Sequence, residues 1–448
     1  VGVPAPRAAL DTRSWLSAST LVAGCALASP PLLAFPSDAP DRPTGPGAIV
    51  WASEASRCGR RSLAARASWE LTLAAVGPEE RPTISGRRSL AGAFSGELAA
   101  VGGTFGRVTI AAGAHGDRVP SGSGLTVVQS RATRALGSPA LTEPGARLAL
   151  ARAYLGDVAI ATLHDGRIVV RVERHYQRGF GPARVIPLPR GHVSALIATM
   201  DFRSDVLVVW QQNGGVYADL LRASGATDSP QRVGPSDPDP QLQALVSDND
   251  RGMIAWSSGE SSSPGNGGRG VGDGKARTYV DLSAVGLRFG APRLLASFAD
   301  PAAVARSPGS LALVRLSSEN VLLAWTDAES GHYVVRVAPA VLAGSRPSTL
   351  LSDADAQAVL AGVAPGPAGE AMALWTSAPS GASDPRALRT QLWAARAFVL
   401  PHDRVAHLAP EMLAAPGPIA APSIAVDPAD DRALAAWLTP GADGRIEY

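Results

Sequence analysis

Between residues 203 and 221 polar turns alternate with apolar runs. Arg203-Ser204-Asp205 leads into Val206-Leu207-Val208-Val209-Trp210, and Gln211 to Gly215 leads into Val216 to Leu221. Aligned on the Trp, the same order returns at Met253 to Trp256, Val321 to Trp325, Ala371 to Trp375 and Ala433 to Trp437, with a further copy at Ala48 to Trp51. Val108 to Ala112 and Val158 to Thr162 keep the apolar run without the Trp. The register positions are therefore 51, 112, 162, 210, 256, 325, 375 and 437, spaced by 46 to 69 residues. A period of that length marks solenoids and propellers. Apolar runs too short for helices and bounded by turn residues predict strands covered on both faces.

The flanks repeat as well. Asp157, Asp205 and Asn320 stand five residues ahead of the register position, with Asp250 and Asp431 one further back. Their short side chains bond back to the local backbone and so favour tight turns. After the register position come His164-Asp165-Gly166, Asn213-Gly214-Gly215, Glu329-Ser330-Gly331 and Ala442-Asp443-Gly444, which read as hairpin turns. A further strand follows at Ile168 to Val172, Tyr279 to Leu282 and Tyr333 to Val337. Two units then share an exit, Gly179-Phe180-Gly181-Pro182 and Arg288-Phe289-Gly290-Ala291-Pro292. Each unit supplies about four short strands, too few to bury an apolar face alone. Radial stacking of such sheets buries it and leaves only short edges.

With those residues in view, the chain resembles β-propellers of the secreted bacterial type, whose blades carry an apolar run ending on Trp and a Phe-Gly-x-Pro exit. The resemblance spans residues 48–448 and implies architecture more than chemistry. The expectation is an all-β fold, a β-propeller of seven four-stranded blades, with six and eight left open. Seven follows if the two incomplete ends form one blade between them. Those ends are Ala48, with no clear strand before it, and Arg445 to Tyr448. Glu70 to Leu150 alternates weakly and predicts two degenerate blades.

A hydrophobic share of 46% against 18% charged residues allows a large core. The 41 basic residues, of which only Lys275 is Lys, face 39 acidic ones with no basic run, so nucleic acid is not an expected partner. Residues 1–28 read as a signal peptide or lipoprotein signal, with Arg7 and Arg13 ahead of a stretch from Trp15 to Ala28 that is mostly apolar and small. Leu21-Val22-Ala23-Gly24-Cys25 resembles a bacterial lipobox, which implies lipidation of Cys25. Cleavage after Ala26-Leu27-Ala28 is the alternative. The run falls short of the roughly 20 residues of a membrane-spanning helix. Residues 29–47 read as a Pro-rich tether, and 257–274 as a flexible Gly/Ser insert. Cys58, flanked by Arg57, Arg60 and Arg61, reads as an idle loop thiol rather than a reactive one.

Few residues of the chain carry a catalytic or ligand-binding pattern. Gly265-x-Gly267-x-x-Gly270 has the letters of a dinucleotide fingerprint but no helix pattern after it. The seven His residues show no metal-ligand spacing; His402 and His407 read as a surface loop. Asp248-Asn249-Asp250-Arg251-Gly252 is a tight turn without the length or closing Glu of a calcium loop. Ser247 to Trp256 loosely resembles the Asp-box turn of sialidase-type propellers. That turn is structural, and Ala255 stands where the motif has Thr. A glycosidase needs two carboxylates at the scissile bond, and the sequence does not show which acids meet on the axis. The register Trp residues read as core rather than as sugar platforms. No catalytic, cofactor or metal residue is assigned. The expected function is non-catalytic binding of an extracellular protein or polysaccharide by an exported, monomeric bacterial protein. That protein is either free or held at the cell surface by a lipid, its only link to a membrane. The alternative is a glycoside hydrolase or lyase on the same scaffold.

Overall fold

The computed structural model describes residues 20–22, 32–34, 47–54, 68–76, 83–91, 93–102, 107–115, 123–131, 136, 139–153, 155–177, 179–226, 229–236, 240–247, 251–258, 276–282, 288–298, 311–316, 320–329, 332–340, 348–355, 357–366, 369–378, 391–400, 404–414, 419–427, 432–439 and 445–447. Among them the strands form eight antiparallel sheets. Seven have four strands, and one gains a fifth at Glu411–Ala414. In seven sheets the four strands follow chain order: the fourth sheet, for example, is Val193–Met200, Val206–Gln212, Gly215–Leu221 and Gln231–Pro235. Every register position of the sequence repeat falls on the second strand of its sheet.

The continuous apolar runs follow from burial on both faces. Val206, Val208 and Trp210 point back into a cluster shared with the third sheet, while Leu207 and Val209 point forward into a cluster shared with the fifth. All five are at most 1% exposed, worth about 1.5–3 kcal/mol for each large side chain. Trp51, Trp256, Trp325, Trp375 and Trp437 each turn toward the preceding sheet in the same way. Across the strand pair Trp210 stacks on Tyr217 and Trp256 on Tyr279, with ring centroids 5.8 and 5.5 Å apart. Gly234 is required where the Trp256 ring lies: a Cβ there would stand 2.7 Å from its Cζ2. The exit motif is a peg between sheets. Phe289 packs into the core of the fourth sheet, and its backbone is gripped by the Gln231 amide at 2.8 and 3.1 Å.

Eight apolar clusters join the eight sheets in series, and the last, around Ile49, Trp51 and Ala436, joins the eighth sheet to the first. The first strands touch their neighbours all the way round. The chain is therefore an all-β propeller whose sheets close on one another. Eight sheets is the count the sequence left open beside its preferred seven. The difference lies at the N-terminal side. Leu32–Ala34 pairs with Ala48–Val50 as the first strand of the first sheet, and Thr20–Val22 pairs with Arg445–Glu447 as the fourth strand of the last. Both ends do meet in one sheet, but the first sheet has four strands of its own. The stretches read as export signal and tether thus each contribute a strand. The insert read at 257–274 begins inside one, since Ser257 and Ser258 finish Gly252–Ser258; its residues 259–274 lie outside the described ones.

Candidate binding face

The turn between the first and second strands repeats in five successive sheets. Ala153, Asp201, Ser247, Leu316 and Gly366 each donate a backbone N–H to the carbonyl four residues on, at 2.8–3.1 Å. Chain direction puts these turns at the same end of the ring as the connections between third and fourth strands. At the junction of the third and fourth sheets this end is built around one carboxylate.

Asp157 is 3% exposed. Its Oδ1 accepts the backbone N–H of His175 and lies 2.6 Å from His175 Nδ1. Its Oδ2 accepts from Arg174 Nη1 at 3.1 Å and from the hydroxyl of Ser204 on the next sheet. Burial pushes this carboxyl up. The bonds from Ser204, from the His175 backbone and ring and from Arg174 outweigh it and hold the group below its ordinary range. The arrangement repeats one sheet later in reduced form. Asp205 Oδ1 accepts the backbone N–H of Ala223 at 2.6 Å, and Arg222 Nη1 is 4.0 Å from Oδ2. In both sheets the acceptor lies 18 residues before the donor. Gly156 and Ser204 occupy the same place in their turns, with φ of 96° and 68°. Gly tolerates that backbone, whereas Ser204 is strained there and in return reaches Asp157 of the preceding sheet.

Serine, histidine and aspartate together suggest a hydrolytic triad, but their connections differ. In a triad the hydroxyl bonds the imidazole and the carboxylate lies behind it. Here Ser204 and His175 both bond the carboxylate, and Ser204 is 3% exposed. Asp157 is a hub that fixes three turns. Arg174 extends it by donating to the Arg203 carbonyl at 3.4 Å. On this frame stand Leu155, Tyr176 and Phe202, exposed by 47, 72 and 44%, three of the largest exposed apolar side chains of the described structure. Tyr176 meets the His175 ring edge-on at 5.1 Å, and the Arg203 guanidinium lies 5.5 Å from the centre of the Phe202 ring. The result is a surface of held aromatic rings and cationic groups.

The axis offers different chemistry. A cavity of about 300 Å³ is lined by first-strand residues of four successive sheets, among them Ala99, Leu150, Ile197, Ala198 and Ala244, with Gln243 the polar side chain in its wall. The pair of carboxylates that a glycosidase needs is not among these lining residues. Nearby, Glu97 on a first strand accepts from Arg147 of the next at 3.3 Å, and Arg147 Nε also reaches the Val193 carbonyl at 3.3 Å. Burial raises the Glu97 pKa, against the opposing pull of Arg147 and the Leu148 backbone. This is one carboxylate tied across sheets.

The register Trp residues are buried, at 0–5% exposure, so they are core and not platforms. Ser247 bonds Arg251 within its turn, a structural role for the Asp-box-like stretch. Cys25, Cys58, Asp248, Asp250, His402, Gly265, Gly267, Gly270 and Lys275 lie outside the described residues. No group of three or more His, Cys, Asp and Glu among the described residues could hold a metal ion. In the sequence Asp157 and Asp205 show as turn formers, while Leu155, Tyr176 and Phe202 fall outside the repeat. The available signal was one large apolar residue beside the turn Asp in consecutive units.

No protein-family model matches the chain, and no curated protein sequence matches it. Among solved structures it is similar in outline to the Dos1 propeller, at 10% identity over 85% of this chain and 88% of that one, with a TM-score of 0.46. The WD40 domain of Toxoplasma gondii coronin gives 8% identity, coverage of 89% and 77%, and 0.42. The six-bladed fungal lectin from Aleuria aurantia gives 11%, 71% and 96%, and 0.37. At these values the fold rests on the chain's own strand pairing and closed set of apolar clusters.

Proposed function

We propose that this protein is an exported, non-catalytic β-propeller that binds a protein or polysaccharide at the cell surface through the face built on Asp157. The observation that carries the reading is the contrast between the two centres. The described wall of the axial cavity has no charged side chain, while the end face presents Leu155, Tyr176 and Phe202 on turns fixed from below by a buried carboxylate. Exposed apolar groups on rigid turns suit recognition. Export proceeds through residues 1–28, with Cys25 as the lipid acceptor or with release after Ala28. Either cut removes Thr20–Val22, and Arg445–Glu447 then becomes the outer edge of the last sheet.

The test is binding of wild type and a Tyr176→Ala/Phe202→Ala double variant to purified surface polysaccharides and surface proteins of the producing cell, with ligand length measured after incubation. The reading expects saturable binding that the double variant loses, with the ligand intact. Binding untouched by the double variant, or a shortened polysaccharide, contradicts it.

A further inference from the structure

We propose that the ligand of this face is an acidic polysaccharide, its sugar rings laid on Tyr176 and Phe202 and its carboxylates met by Arg203 and Arg222. This deepens the binding reading and rests on it. Three observations favour the class. First, the turns that carry the rings are fixed before any ligand arrives. The Tyr176 turn is closed by Gln177 N–H to the Arg174 carbonyl at 2.9 Å and tied to the Phe202 turn through Arg174 and the Arg203 carbonyl. A preorganised turn spares part of the ordering cost of binding, and its exposed ring offers an apolar face that matches the C–H face of a pyranose.

Second, the charge is one-sided. In the described parts of these turns Asp157, Asp201 and Asp205 are buried, at 3, 1 and 5% exposure, whereas Arg203 is exposed and the Arg222 side chain is 27% exposed. The carboxylates sit beneath the surface, the Arg203 guanidinium lies on it, and the part-buried Arg222 pairs with Asp205 at its edge, a balance that suits anions. Third, Leu155, Tyr176 and Phe202 stand one to a turn, each beside polar or charged residues of its own turn: Asp157, His175 and Gln177, and Asp201 and Arg203. A stable protein partner covers about 800 Å² with a continuous apolar centre. A sugar chain instead needs isolated rings and hydrogen-bonding cations between them.

The experiment is calorimetric titration with polygalacturonate, with the same polymer fully methyl-esterified, and with poly-glutamate. Proteins are wild type, Tyr176→Ala, Tyr176→Phe and Arg203→Ala, each checked for unchanged melting temperature. Polygalacturonate is expected to bind, at least tenfold more weakly in Tyr176→Ala and Arg203→Ala, with Tyr176→Phe near wild type. The ester is expected to bind at least tenfold more weakly than the acid, and added salt to weaken only the acid. Equal binding of ester and acid overturns the acidic class and leaves the binding reading standing. Poly-glutamate binding as tightly as polygalacturonate, or Tyr176→Ala without effect, overturns the stacking. Binding of neither polymer, with a surface protein bound through the same residues, overturns this inference alone.

Discussion

Replacing Asp157 with Ala removes the hub of the candidate face. Two of its bonds, from the His175 backbone N–H and the Ser204 hydroxyl, are made to a charged group that is 3% exposed. Hydrogen bonds to charged groups contribute about 1.5–3 kcal/mol each. The Arg174 and His175 side chains are 21% and 40% exposed, so their bonds are screened and worth about half a kcal/mol each. Ser204 also keeps its left-handed backbone without the bond that accompanies it. These contributions sum to about 4–7 kcal/mol, and the expected cost is about 4–5 kcal/mol, where that sum overlaps the range for breaking a buried pair. Asp205→Ala is the internal control. It loses one backbone donor and a 4.0 Å ion pair, for about 2 kcal/mol. The assay is native-state hydrogen exchange, read as the opening free energy of residues 174–177, beside urea unfolding followed by Trp fluorescence. A cost for Asp157→Ala no greater than that of Asp205→Ala, or unchanged exchange at the His175 amide, refutes the hub.

The same group sets a pH dependence. Its folded pKa lies below the unfolded value, so its stabilisation is complete above the unfolded value and disappears as pH falls through the folded one. Thermal melts of wild type and Asp157→Asn are therefore expected to differ most near neutrality, to begin converging as pH falls through about 4, the ordinary Asp value, and to meet only below the folded value. Gly234→Ala drives a Cβ into the Trp256 ring and is expected to cost about 1–3 kcal/mol in urea unfolding. Gly290→Ala is expected to lie within about half a kcal/mol of wild type, since nothing stands within 4 Å of the added carbon. Phe289→Ala empties the peg between the fourth and fifth sheets, for about 3–5 kcal/mol by the same measurement.

The second strands were legible because burial on both faces leaves an unbroken apolar run, and the Trp marks the same depth in six of them. The outer and closing strands were not. Thr20–Val22 meets Arg445–Glu447 from the far end of the chain, and a three-residue strand paired at that distance leaves no local pattern. Leu32–Ala34 sits among prolines that suit a tether equally well. Asp157 carried a correct local signal, a turn, and concealed a wider one. Its partners lie 18 and 47 residues away, and the 18-residue link that recurs at Asp205 ends on a backbone N–H in both sheets, so it leaves no mark in residue type. Tyr176 and Phe202 follow no strand pattern because they are turn residues whose side chains face solvent.

The central claim is that recognition occurs on the Asp157 face and that the ligand leaves unchanged. Hydrogen exchange of the whole chain, with and without the polysaccharide or protein captured from the producing cell's surface, tests it most directly. The expected result is new protection at residues 155–157, 174–177 and 201–205 and a ligand of undiminished length. Protection centred instead on the first strands at Leu148–Leu150, Leu196–Ala198 and Leu242–Ala244, or a ligand cut during the incubation, would contradict it.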